Sequence, residues 1–441
     1  MSLYERIFIG RLDLPAMKQS ENKRNDLNAG ESILGPYRAL DLTDEKGLLC
    51  GKILGDLGAD VIKIERPGGD IARRLGPFYQ DQPHPEKSLF WFAYNTSKRG
   101  ITLNLETPDG REIFRRLVKN TDFIIESYPP GYMGKLGLGY PDLEKINPGV
   151  ILVSITPFGQ TGPYKDYKTA DIVSWAMGGE MAPYGDADRP PVHFSHQSQA
   201  YLHAGNDGAQ GVLTALYQRW STGKGQHIDV SIQDSVIQCL EHITSNWDLR
   251  QAIPERSGEP FPGVTHTTTQ IWPCKDGWVA WSHGGNSVLG PSLPLIKWMD
   301  DEGMANDYMR NFDWNRPDFM RITQAEMDLI EGPTGKFFLT HTKAELLDGA
   351  VKRNVMLYPV STAADIMENR QLQARDFWVE LDHPGLETKI TYPGAFGQFS
   401  ESPVKITRRA PLIGEHNREI LEEELGISRD KLIMLKQAGI I

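Results

Sequence analysis

Between residues 37 and 156 short β-branched or apolar runs alternate with helical stretches, and this alternation limits the fold more than any other feature of the chain. Parallel strands need long crossovers, so the order strand, helix, strand predicts a parallel sheet covered by helices on both faces. Strands are expected at 39–42, 61–64, 101–103, 123–125 and 150–153. Thr107 and Pro108 read as the N-cap and first residue of a helix whose apolar stripe is Ile113, Phe114, Leu117 and Val118. The fold class expected is α/β: a Rossmann-like open parallel sheet in a large domain, with a smaller mixed α+β domain. After the first strand comes Thr43-Asp44-Glu45-Lys46-Gly47, which lacks the G-x-G-x-x-G pattern that brings backbone against a pyrophosphate. That argues against a nicotinamide or flavin dehydrogenase.

Further along, a helix is expected at 199–220, with Ala204, Gly208, Gly211 and Ala215 at spacings that let another backbone approach closely. A strand at 227–230 and a long connecting helix at 234–250 follow. From 258 to 360 the texture changes. Trp272, Trp278 and Trp281 with Gly277, Gly284 and Gly285 suggest short strands and turns, then helices. The last eighty residues return to an α/β texture and close on a helical tail at 417–437. The organisation expected is an N-terminal extension (1–34), the first part of the large domain (35–232), a linker helix (233–257), a small domain (258–360) and a return segment completing the large domain (361–441). Arg6, Gly10 and Arg11 interrupt the extension's apolar residues, so it reads as neither signal peptide nor membrane span. A net charge of −11 disfavours binding to nucleic acid or an anionic membrane. Cys50, Cys239 and Cys274 are too few and scattered for a disulfide framework or zinc site, which suggests a cytoplasmic protein without a metal.

Six stretches carry a specific resemblance: Leu40-Asp41-Leu42-Thr43; LGADVIKIERPGGD, ending at Asp70; NTSKRGITLNLETPDGRE, ending at Glu112; NPGVILVS, ending at Ser154; TGKGQHIDVSIQDSV, 222–236; and RRAPLIGEHNREIL, 408–421. From about Gly35 to its C-terminus the chain resembles the class III CoA-transferase family, which includes formyl-CoA transferase and is related to alpha-methylacyl-CoA racemase. The resemblance implies an interlocked dimer that takes acyl-CoA and a carboxylic acid as substrates. It also places Arg66 near the CoA nucleotide, Leu103 on the wall of the adenine pocket, and Tyr128 and Lys135 along the CoA groove. Read without the resemblance, Arg66 is a solvated turn residue, Leu103 core, Tyr128 packing and Lys135 a surface charge. Lys98-Arg99 reads equally as a family motif or as a helix-flanking surface pair.

By the same resemblance an Asp carboxylate attacks the thioester, forming a mixed anhydride that stays reactive enough to be reopened. Counting back from the anchor LTALYQRWSTGKGQ, Tyr201 occupies that position, and a shift of one residue gives Ala200. Neither suits the reaction, since a phenol has a reference pKa near 10. The fallback carboxylate is Asp207, about 9 Å further along the helix. The racemase His-Asp pair is replaced by Ala170-Asp171, leaving Asp171 a structural role, and the segment 260–269 holds a single glycine, Gly263, where a glycine-rich lid is implied. The expectation is a CoA-binding, non-nucleophilic subunit paired with a related catalytic chain, as in the two-subunit benzylsuccinate CoA-transferase type. It would move CoA from a succinyl-CoA-like donor to a carboxylic acid. The alternatives are a homodimer acting through Asp207 and a CoA-binding pseudoenzyme with a structural or regulatory role.

Overall fold

A computed structural model describes residues 32–185, 188–193, 198–240, 243–253, 266–284 and 292–441. The expected N-terminal extension and the segment around Gly263 fall almost wholly outside them. The chain begins with β1 (Arg38–Leu42), α1 (Leu48–Asp56), β2 (Asp60–Glu65), α2 (Leu89–Tyr94), β3 (Lys98–Thr102), α3 (Pro108–Val118) and β4 (Phe123–Glu126). It continues through α4 (Tyr132–Lys135), α5 (Tyr140–Ile146), β5 (Ile151–Thr156), α6 (Asp171–Met177), α7 (Gln199–Thr222) and β6 (His227–Ser231). The six strands form one parallel sheet in the order β3-β2-β1-β4-β5-β6. Both faces are covered, so β1 to β5 are buried almost throughout, their polar residues included. Ala39, Ile125 and Val153 face α1 and α7, while Leu40, Ile124 and Leu152 face α3, α5 and the C-terminal segment.

Local chemistry sets the helix ends. Thr107 caps α3 by accepting the Gly110 N–H at 3.1 Å, and the four stripe residues are buried. Helix α7 closes at Gly223, whose φ of 71° favours glycine. One strand lies differently from the expectation: β3 starts at Lys98, three residues earlier, so Lys98-Arg99 is no surface pair. Both side chains are buried, and the reason is a set of acidic partners remote in sequence.

The connecting helix is broken, into α8 (Ile232–Ile237) and α9 (Ile243–Arg250). Then come β7 (Ile271–Cys274), β8 (Gly277–Ala280), α10 (Leu293–Asp301), α11 (Asp307–Asn311), α12 (Gln324–Thr340), α13 (Lys343–Arg353) and β9 (Tyr358–Pro359). The strands make an antiparallel sheet, β7-β8-β9, over a separate aromatic core that includes Trp272, Trp281, Trp298, Phe337 and Phe338. Two short helices, α14 (Ala363–Met367) and α15 (Arg370–Ala374), lead to the hairpin β10 (Trp378–His383) and β11 (Thr388–Pro393).

The chain then runs back along the free edge of β3. Ser97 donates to the Arg408 carbonyl and His416 to that of Gly100, both at 2.9 Å. Gly100 N–H donates to His416 Nδ1 at 3.0 Å, and Thr102 N–H to Asn417 Oδ1 at 2.9 Å. This satisfies an edge that would otherwise be open to pairing with another chain. In place of one helical tail there is a π-helical turn (Arg418–Glu424) and then α16 (Arg429–Gln437). Ile420, Leu421, Leu435 and Ile440 join the core beneath β1 and β4. Among the described residues no helix is long and apolar enough to cross a membrane.

Candidate active-site crevice

Strand order reverses between β1 and β4, and the crevice outside the C-terminal ends of the strands at such a switch point is where open α/β sheets bind ligands. Ser127 ties the two loops together, accepting from Asp44 N–H at 2.9 Å and donating to Asp44 Oδ1 at 2.8 Å. Asp41 lies buried beneath. It accepts from Thr43 N–H at 2.9 Å, from the Thr43 hydroxyl at 2.7 Å and from Lys98 Nζ at 2.7 Å, with Lys63 Nζ 3.7 Å away. Lys98 completes its shell on the Leu48 carbonyl (2.8 Å) and Asn95 Oδ1 (3.0 Å). Burial alone would raise the Asp41 carboxyl, but Lys98 and Lys63 together hold it below its ordinary value. A Cβ at Gly51 would stand 2.2 Å from Asp41 Oδ2, so the close approach of α1 requires glycine. The motifs around Asp41 and Lys98 therefore build the crevice floor.

Helix α7 points its first turn at this crevice. Asp171 fixes that turn, accepting from Ala200 N–H at 2.9 Å through one oxygen and pairing with His193 Nε2 at 2.9 Å through the other. Such a bond satisfies one of the donors a helix start leaves open. Tyr201 follows, 5% exposed and packed into the core. Burial pushes its phenol above the ordinary range, and the charges of Glu45, Asp171 and Asp44 push it further. The phenol is neutral at pH 7 and a poor nucleophile.

Asp207 belongs to other surroundings. Six residues on, it is about 240° around the helix axis from Tyr201. It is half-buried beside Cys239, whose thiol is raised by burial and then by Glu180 and Asp207. Glu45 is the carboxylate that sequence reasoning missed. Its Oε2 is buried without a hydrogen-bond partner among the described residues, and burial followed by Asp44 raises its carboxyl. Nothing in the spacing marked it, because its approach to Tyr201 exists only once α1 and α7 are packed. Glu126, at the end of β4, accepts from Tyr128 N–H at 2.7 Å. Burial lifts its carboxyl from 4.5 to about 7, against the lowering effect of the Ser154 hydroxyl and the Tyr128 N–H.

The nucleotide-site candidates divide. Arg66, just past β2, donates from Nη2 to Glu106 Oε1 at 3.0 Å and to the Tyr132 hydroxyl at 3.4 Å. Tyr132 also donates to Glu106 Oε1 at 3.1 Å, and its ring lies 4.7 Å from that of Tyr128. Arg66 and Tyr128 thus meet around Tyr132 and Glu106, neither of which was singled out from the sequence. Four-residue spacing from Tyr128 to Tyr132 was the available signal. Lys135 ends the same short helix as Tyr132 and is exposed, whereas Leu103 is 2% exposed in the core. A guanidinium beside two rings tilted at 36° to each other suits a phosphate and a flat heterocycle.

The sequence profile of CoA-transferase family III matches residues 38–417. The succinyl-CoA:(R)-benzylsuccinate CoA-transferase subunit BbsE of Thauera aromatica is 36% identical over 399 residues, covering 88% of this chain and 93% of BbsE. The succinyl-CoA–D-citramalate CoA-transferase of Chloroflexus aurantiacus is 32% identical over 397 residues, 90% of this chain and 94% of that enzyme. Among solved structures, a CAIB/BAIF family protein from Brucella suis superposes with a TM-score of 0.77 at 28% identity, covering 89% of this chain and 99% of that one.

Proposed function

Because the chain belongs to CoA-transferase family III, we propose that it is the CoA-binding, non-nucleophilic subunit of a heteromeric CoA-transferase. The observation that carries this is Tyr201. A buried, neutral phenol stands at the head of α7, where the resemblance requires a charged carboxylate. A related chain supplies that carboxylate, and the whole moves CoA from a succinyl-CoA-like donor to a carboxylic acid. Support for the donor and the two-chain arrangement comes from BbsE, a subunit of a succinyl-CoA-dependent transferase. In this reading Arg66, Tyr128 and Lys135 line the CoA path and Leu103 backs it from the core. Asp171 holds α7 in place.

One observation favours a second reading. Glu45 brings a buried carboxyl oxygen, without a hydrogen-bond partner among the described residues, to the same crevice, which would suit a chain that acts by itself through another carboxylate. Asp207 fits that role less well, being on a different face of α7. Purification at native expression level, with mass spectrometry of the co-eluting chains and assay of each form, separates the two. A sister chain carrying Asp at the Tyr201 position, with activity only in the complex, is expected. An active homogeneous preparation of this chain would contradict the proposal.

A further inference from the structure

We propose that Glu106 and Tyr132 form a latch on Arg66 that an incoming nucleotide phosphate must displace. This rests on the reading of Arg66 as a CoA contact. Glu106 Oε1 receives both the Arg66 guanidinium, at 3.0 Å, and the Tyr132 hydroxyl, at 3.1 Å. The backbone on either side of that carboxylate is fixed. Glu106 N–H donates to Asn104 Oδ1 at 3.0 Å, and Arg111 Nη1 donates to the Glu106 carbonyl at 2.9 Å. Tyr132 is steadied by its ring contact with Tyr128 at 4.7 Å. The backbone that carries the carboxylate is therefore anchored beside the guanidinium, while the side chain is free to swing.

Arg66 is 62% exposed and Glu106 56%, so water screens their attraction and the pair opens at small cost. Charge-assisted bonds from guanidinium to phosphate are the stronger ones and can be bidentate. Binding is then an exchange of partners on Arg66, with carboxylate giving way to phosphate, and the residual Glu106 charge opposes it. Glu106 is a positioning residue that lowers affinity for the nucleotide end while keeping Arg66 aimed across the strand ends.

Calorimetric titration of the full-length protein with CoA tests this in four forms: unmodified, Glu106→Gln, Arg66→Ala and the double variant, each checked for folding by circular dichroism. Glu106→Gln is expected to tighten CoA binding about two- to fivefold, a gain that loss of a merely structural contact does not produce. In the Arg66→Ala background the same change is expected to alter affinity less than about twofold, because Glu106 acts through Arg66. If Arg66→Ala weakens binding but Glu106→Gln leaves it unchanged or weaker, the latch is wrong and the CoA site stands. An equal gain in both backgrounds would also overturn the latch, leaving plain charge repulsion. Unchanged affinity in Arg66→Ala would remove Arg66 from the CoA site and the latch with it.

Discussion

Lys98 carries its ammonium into the buried interior, and what makes this tolerable is a complete shell of three acceptors led by Asp41 at 2.7 Å. Removing one member of a buried pair strands the other. Lys98→Ala is therefore expected to cost about 3–5 kcal/mol in denaturant unfolding, and a change below about 1 kcal/mol would contradict the account. Glu126 offers a titration. Its folded carboxyl is raised from 4.5 to about 7, so the folded state holds a proton that the unfolded state has released. The stabilisation is fully present below pH 4.5 and is lost as pH rises through 7, on the order of 3 kcal/mol in all. Melting temperature against pH should fall across that window in the unmodified protein, and Glu126→Gln should flatten the fall. At this scale the sequence was only half legible. Arg66 could be placed because it follows a strand, where sheets of this kind bind ligands, whereas Tyr128 rested on the family resemblance alone. Lys98 could not, because lysine is almost never fully buried without a partner, and its partner is 57 positions away.

Helix α7 shows what one element has to satisfy. Its small residues let it lie against α1 and the sheet, and a Cβ at Gly208 would come 3.1 Å from Ile155 Cδ1 and 3.2 Å from Cys50 Sγ. Gly208→Val is therefore expected to overpack this layer and cost about 1–3 kcal/mol in urea unfolding. Retention of full stability would mean that the helix can shift away from the sheet. The extent of α7 and its small-residue face were readable from the spacing of Ala204, Gly208, Gly211 and Ala215, whereas the bond that holds its first turn comes from Asp171, 29 residues away. The early start of β3 was not readable. Lys98 and Arg99 read equally as a family motif or a helix-flanking surface pair until Asp41 and Asp60 are brought beside them. The break between α8 and α9 likewise had no proline or glycine to announce it.

For the whole molecule, the return of the chain to its first sheet is the governing feature. Arg99 joins Asp60 on β2 to Glu419 and Glu424 at the C-terminal end, with bonds of 2.6 to 2.9 Å. Because residues 404–441 also cover the edge of β3 and fill its core, limited proteolysis between the small domain and β10 should leave the C-terminal fragment bound under native conditions. Its release as a freely dissociating piece would contradict a discontinuous large domain. The alternation of strands and helices foretold the parallel sheet. No local pattern could foretell that the final segment would close its edge, since that depends on contacts more than three hundred residues apart.

The central claim is that the acyl group is never carried by this chain. The measurement that tests it most directly mixes the purified protein, with any chain that accompanies it, with succinyl-CoA, quenches with hydroxylamine and maps the hydroxamates by mass spectrometry. Hydroxylamine that attacks the protein-side carbonyl of the mixed anhydride leaves a hydroxamate on that side chain and releases succinate. Attack on the succinyl carbonyl gives succinyl hydroxamate and restores the carboxyl, so the first route marks the nucleophile. The expected result is a hydroxamate on an aspartate of the accompanying chain and none on this one. A hydroxamate on Glu45 or Asp207 of this chain, lost together with turnover in Glu45→Gln or Asp207→Ala, would contradict the account and make this chain the nucleophilic one.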